Sequence, residues 1–397
     1  MKKSPFIADE TVVFRSPDNS VYCYTPSVIH VNNKRLVASF DLSGKGLHQY
    51  FPPPYTSVGD CSGNQLQIMI SDDLGKTWRQ TARLAMLHAT LFQVHDDLYV
   101  IGHAGALYIA RSSDYGETWT EPVLLNDEYR WHQSSCNMEI WQEHVYIAFE
   151  YTLPVSEGQW RWPNVMPVIL SCRVDKDLLD PQNWHFGKSV SPEALLNTIN
   201  PNCGKPHDYP FVLESNLIRL RQTDHEFYRN GDLNLFLIMR TTYDFGSTGA
   251  VLKACSRDPG QTDLDFVYRD DGSKFFFFPM PGGNMKFYLQ YDEPSGYYWL
   301  AASQSNDYFL KSSADRLDGG PRQRLCLYFS KDCFSWCFAG LIAQGEGRSG
   351  SRHYSTFTVV ENDLYVLSRS GTAESECQHN GNMITLHRIE NFRDLAY

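Results

Sequence analysis

Residues 71–78 read SDDLGKTW, and residues 112–119 read SSDYGETW. Both fit Ser-x-Asp-x-Gly-x-Thr-Trp, and self-similarity at an interval of this kind marks a chain built from stacked units. Two looser copies follow, SRDPGQTD at 256–263 and SKDCFSW at 330–336. A short apolar run precedes each copy: LQIMI, ALYIA, AVLKA and LCLYF. An apolar run followed by a Ser/Asp/Gly cluster reads as a strand entering a tight turn. In such a turn the Asp carboxylate accepts backbone N–H bonds, and Gly75 and Gly116 take a positive φ. Trp78 and Trp119 supply bulky apolar surface for the space between neighbouring units. The motif is expected to hold the scaffold and not to carry chemistry.

Between these copies lie strand–turn–strand units such as SVIHVNNKRLVASF, TLFQVHDDLYVIG, MEIWQEHVYIAFE and TFTVVENDLYVLSR. Joining each hairpin to the strand pair after it gives six units, at about 24–78, 89–119, 137–184, 210–266, 284–336 and 354–392. The expected fold is therefore all-β, a single β-propeller domain over residues 1–397 with six blades. A seventh blade in 120–136 or 185–210 stays open, and ETVVFRS (10–16) is placed to close the last blade.

Composition agrees with strands and turns: 23 Tyr, 23 Phe and 9 Trp accompany 27 Gly and 20 Pro. The net charge of −11 argues against a nucleic-acid or acidic-membrane partner, yet leaves room for an acidic small substrate gripped by local arginines. No run of apolar residues is long enough to span a membrane. MKKSPFIADE lacks the apolar core of a signal peptide, and the ten scattered cysteines suit a reducing compartment, so a cytoplasmic location is expected. The residues call for no cofactor and no metal ion. Oligomeric state is not readable from them.

The repeated turn resembles the Asp-box (BNR repeat) of the sialidase superfamily. That resemblance implies a carboxylate-gripping arginine triad, a Tyr nucleophile assisted by Glu, and an Asp acid/base. By position, Asp60 in GDCSG resembles the acid/base, eleven residues before Ser71. Glu214 in FVLESNLIRL resembles the assisting Glu, and Tyr354 in RHYSTF the nucleophile. Arg240 in LFLIMRTT and Arg322 in RQRLCLYFS resemble two of the arginines. The first arginine position is occupied by Thr25, before Pro26, so one of three clamps is missing. A buried structural ion pair is the plain alternative for Glu214 and Arg240.

HATLFQVHDDLYVIGHAGALYIARSSDYGETW, VDKDLLDPQNW and HNGNMITLHRIENFRDL resemble bacterial sialidase-like proteins. That group is related to propeller rhamnosidases and to uronate polysaccharide lyases, whose sites rely on His and Tyr. The resemblance brings in His88 and His379 as candidate catalytic residues and His103 and His132 as candidate substrate-binding ones, against a plain packing role for each. Three functions follow as expectations. The first is a sialidase-like hydrolase acting on an acidic oligosaccharide or polysaccharide, of sialic or uronic acid type. The second is a lyase on a rhamnose–glucuronate type glycan. The third is a glycan-binding propeller without catalysis.

Overall fold

A computed structural model describes residues 8–57, 63–154, 164–199, 211–242, 247–317 and 320–397. The chain opens with β1 (Asp9–Arg15) and then forms sheets in chain order. The first holds β2 (Tyr22–Asn32), β3 (Arg35–Ser43), β4 (Gln65–Ser71) and β5 (Arg79–Leu84). The second holds β6 (Leu87–Val94), β7 (Asp97–Ala104), β8 (Ala106–Ser112) and β9 (Val123–Asn126). In the third, β10 (Arg130–His132) and β11 (Met138–Trp141) both pair with β12 (His144–Thr152), followed by β13 (Val165–Arg173) and β14 (Trp184–Phe186).

The fourth sheet runs β15 (Val212–Arg219), β16 (Leu235–Thr241), β17 (Thr248–Ala254) and β18 (Leu264–Tyr268), with the short β19 (Lys274–Phe275) and β20 (Phe277–Pro279) attached. The fifth contains β21 (Tyr288–Asp292), β22 (Tyr297–Ser303), β23 (Arg324–Ser330) and β24 (Cys337–Gln344). The sixth contains β25 (Ser351–Val360), β26 (Asp363–Gly371) and β27 (Met383–Ile389), and β1 is its outermost strand. These are six antiparallel blades of a β-propeller. No seventh sheet occurs among the described residues. Residues 120–136, left open for it, instead supply β9 and β10, and a helix, α1 (Pro192–Ile199), follows β14.

The core lies between blades. One apolar cluster joins Leu36, Ala38 and Phe40 of the first blade to Tyr365, Leu367 and Leu386 of the sixth. Others join the first blade to the second, the fourth to the fifth, and the fifth to the sixth. Every blade is apolar on both faces, which is why strands such as β4 and β12 read as continuous apolar runs. Ring closure is also ionic: Arg352 grips Glu10 of β1 with two hydrogen bonds of 2.7 and 2.8 Å.

The repeated turns brace this packing. In the first copy Ser71 Oγ donates to Asp73 Oδ1 (2.8 Å) and accepts from Gly75 N (2.8 Å). Asp73 also accepts from Thr77 N and Oγ1, at 2.9 and 2.7 Å. The second copy repeats the pattern at Ser112, Asp114, Gly116 and Thr118. Gly75 has φ +87°, and a Cβ there would lie 2.2 Å from Leu386 of the neighbouring blade. A side chain at this point would force the first and last blades apart.

Candidate active site

Inner strands of adjacent blades are stitched at matching levels. Leu91 N donates to Ser27 Oγ, Cys136 N to Thr90 Oγ1, Leu217 N to Asn137 Oδ1, and Leu289 N to Asn216 Oδ1. Thr25, His88, Glu214 and Tyr354 stand on inner strands two residues before Ser27, Thr90, Asn216 and Thr356 respectively. Pairing shifts register at each of these places, between Tyr24 and Ser27, Leu87 and Thr90, Leu213 and Asn216, and His353 and Thr356. At the last three, the bulged residue has a left-handed backbone: φ is 53° at His88, 53° at Glu214 and 50° at Tyr354. Such a conformation is costly for residues with a Cβ and is retained where the surroundings enforce it.

In five of the blades the second strand adds a polar or charged residue at this level. Asp41 pairs with Tyr24, His103 with Leu87, Glu150 with His132, Arg240 with Leu213, and Arg369 with His353. All lie near the C-terminal ends of second strands, hence at the N-terminal ends of inner strands. The Ser-x-Asp-x-Gly turns follow the third strands, which run parallel to the inner ones. They therefore occupy the opposite rim.

One cluster centres on Tyr354. Its hydroxyl donates to Glu214 Oε1 (2.7 Å) and accepts from Arg240 Nη1 (2.8 Å). Arg240 Nη1 also donates to Glu214 Oε2 at 2.5 Å, and Ser134 Oγ donates to Oε1 at 2.8 Å. Burial disfavours ionisation of Glu214, but the Arg240 guanidinium and these donors outweigh it and bring the carboxyl down to about 2. Burial raises the Tyr354 phenol above its ordinary value, with Arg240 opposing. The phenol is thus neutral at rest, beside an ionised acceptor.

Two more guanidiniums face the same ring. Arg322 Cζ lies 5.7 Å and Arg369 Cζ 5.3 Å from the Tyr354 ring centre, and Arg369 also stacks 4.0 Å over Tyr24. Arg322 is 6% exposed and Arg369 2%, and neither has a carboxylate within 4 Å among the described residues. Burial lowers both, Arg322 to about 10. Arg322 Nη1 contacts His353 Nδ1 at 3.3 Å, and Arg369 Nη2 donates to His379 O. Thr25 is buried, and Arg369, in β26, brings a third guanidinium to Tyr354, beside Arg240 and Arg322.

A second cluster holds His88, His103 and His132, whose ring centres are 5.4 to 5.7 Å apart. Burial lowers His88, to about 3, and His103, so both are neutral imidazoles. Asp41 backs His88 by accepting its backbone N–H at 3.1 Å, and burial pushes this carboxyl up to about 7. Glu150 Oε1 contacts His132 Nδ1 at 2.5 Å, and Glu150 Oε2 accepts from Glu214 N at 2.8 Å. That carboxylate links the two clusters.

Tyr354, Glu214, Arg240 and Arg322 thus meet in one cluster, and His88, His103 and His132 in the next. His379 is held to one side between Tyr24, Arg369 and Asn380, the last at 2.8 Å. Asp60 lies outside the described residues, in the connection from β3 to β4. Arg369, Asp41 and Glu150 escaped the sequence reading. The available signal was register: each stands on a second strand at the level of the inner-strand bulge.

No family profile matches the sequence, and no curated protein does. Solved structures do match. An α-L-arabinanase of Penicillium chrysogenum complexed with arabinobiose is 12% identical with TM-score 0.56, over 97% of this chain and 98% of that one. A sialidase of Trypanosoma rangeli in complex with sialic acid is 14% identical with TM-score 0.56, over 98% of this chain and 60% of that one. A protein of unknown function from Dyadobacter fermentans is 13% identical with TM-score 0.57, over 96% and 98%. The chain has the six-bladed β-propeller fold of propeller glycosidases.

Proposed function

We propose that the protein is a glycoside hydrolase that cleaves the bond at a carboxylate-bearing sugar, of sialic or uronic acid type. The observation that carries this reading is the pair Arg322 and Arg369, two buried guanidiniums without a carboxylate partner among the described residues, beside a Tyr–Glu–Arg cluster. Unpaired buried charge is costly, and an anionic ligand received by planar donors relieves that cost. Tyr354 attacks the anomeric carbon while its proton passes to Glu214, and Arg240 stabilises the developing phenolate. A neutral phenol avoids repulsion with an anionic sugar, as an Asp or Glu nucleophile would not. Asp60 is assigned the proton transfer to the leaving oxygen and then from water, which releases the sugar from Tyr354. A cleft of about 320 Å³ is lined by Gln304, Tyr308, Phe309 and Pro321, the residue before Arg322 in the chain, and is assigned to the remainder of the glycan.

The test is fluorophore release from 4-methylumbelliferyl glycosides of sialic acid, glucuronic acid and L-arabinofuranose. Preference for an acidic sugar is the expected result. Preference for the arabinofuranoside, the type of sugar bound in the arabinanase neighbour, would overturn the acidic assignment. Growth of the ultraviolet band of an unsaturated uronate on a glucuronate polymer would replace hydrolysis by elimination.

A further inference from the structure

His88, His103 and His132 come from the bulge of β6, the end of β7 and the end of β10, far apart along the chain and together at the channel. One ring nitrogen of each lies within 4.8 Å of the other two. Apolar packing does not explain three imidazoles facing one another. Two nitrogens, His88 Nδ1 and His103 Nε2, are buried with no hydrogen-bond partner among the described residues. Each such orphan is costly if nothing takes the lone pair or the proton.

Two carboxylates stand behind the rings. Glu150 Oε1 is 2.5 Å from His132 Nδ1, and Asp41 Oδ2 is 3.9 Å from His88 Nε2. A carboxylate on the far nitrogen fixes the tautomer and aim of a metal-ligating imidazole. Three imidazoles form a donor set suited to zinc, copper or nickel and unsuited to calcium or magnesium. The His88 side chain keeps 23% of its surface, which leaves a route from the channel.

We propose that His88, His103 and His132 bind one divalent transition-metal cation of zinc type, with the fourth coordination position open to the channel. Metal–nitrogen bonds of about 2.0–2.1 Å put tetrahedral ligand atoms about 3.3 Å apart, so side-chain rotation must shorten the nitrogen separations by up to about 1.5 Å. Glu150 couples this site to the neighbouring cluster, because its second oxygen holds Glu214 N at 2.8 Å. The open position would take water or a sugar hydroxyl. Metal occupancy stands independently of the hydrolase reading, since its readouts need no substrate.

The full chain is stripped with chelator, dialysed and titrated with zinc by calorimetry and with cobalt(II) by visible absorption. The expected result is one equivalent bound, the intense bands of four-coordinate cobalt(II), and a rise in melting temperature. His103→Ala and, separately, His88→Ala each abolish all three while remaining folded by circular dichroism. Glu150→Gln weakens affinity by about 10–100-fold. Two independent substitutions keep the test decisive if one variant does not fold. Absence of heat, bands and thermal shift in the wild type overturns the proposal. So does binding that survives both histidine substitutions unchanged.

Discussion

The Tyr354 hydroxyl donates to Glu214 Oε1 at 2.7 Å, although the two residues are 140 positions apart and stand on inner strands of different blades. Both have a left-handed backbone at a bulge, with φ of 50° and 53°. A regular strand would alternate these side chains between blade faces. The bulge re-aims each one along the channel, where Arg240 completes the contact. This relationship makes Tyr354→Phe the first test. The hydroxyl that would attack is lost, so kcat should fall on the order of 10³-fold or more. The unfolding free energy should change by about 1 kcal/mol, the worth of one hydrogen bond. Turnover equal to wild type would remove Tyr354 as nucleophile.

Arg240 neutralises a buried carboxylate, and its loss leaves that charge alone. Arg240→Met is expected to destabilise the fold by about 3–5 kcal/mol in urea titrations. Adding Glu214→Gln removes the stranded charge and should restore much of that loss. A double variant no more stable than Arg240→Met would show that the pair is not electrostatically coupled.

Arg369 is expected to bind substrate at no benefit to the fold. Arg369→Met removes a buried cation that has no carboxylate partner among the described residues, so relief of its desolvation should offset the lost contacts with Tyr24 and His379 O and the melting temperature should not drop. KM for a carboxylate substrate should rise about 10–100-fold, matching the roughly 1.5–3 kcal/mol of a charged hydrogen bond. KM for the carboxamide analogue should stay put. Equal losses on both substrates would mean that Arg369 does not face the carboxylate.

Lys286 is buried, donates to Ser355 O at 2.5 Å, and is pushed down to about 7 by burial, with Glu214 opposing. Its folded value lies below the ordinary 10.5 of an amine, so between those values the unfolded chain holds a proton that the folded chain does not. Stability from this group therefore rises with pH across that window. Relative to Lys286→Met, the wild type should gain on the order of a few kcal/mol between pH about 7 and about 10. Thermal melts of both proteins over that range give the comparison, and parallel curves would contradict it.

Asp73 belongs to the opposite rim. Asp73→Ala should cost about 1–2 kcal/mol, as loss of a capping carboxylate does, because Thr77 N and Oγ1 lose their acceptor. Activity per folded molecule should be unchanged. A drop in kcat with normal stability would place the turn in the chemistry after all.

The scaffold was largely legible because its causes are local. SDDLGKTW and SSDYGETW are turns whose hydrogen bonds close within eight residues. The alternation of hairpins counts the blades without knowledge of their contacts. The inner strand of the third blade was legible in part: MEIW reads as β11 paired to β12, whereas β10, only three residues long, lacks the length of a readable strand.

The site was legible only where a residue type stood out against its strand, as with Glu214, Arg240 and Tyr354. Arg369 did not, since VLSRSG reads as an ordinary strand end with a surface charge. Asp41 in SFDLSG reads as a turn residue in the same way, yet its side chain is fully buried against His88.

The sequence by itself determined the repeating unit and the all-β propeller class, with six blades expected, because turn chemistry and strand patterning act within a few residues. Only the tertiary structure decided which charges remain unpaired. Ring closure brings the sixth blade beside the first, so Arg369 reaches Tyr24 and Tyr354 without a carboxylate. The same closure lays the second blade against the third, so His88 and His103 face His132. Charge and coordination depend on distance in space, and no local pattern records that distance.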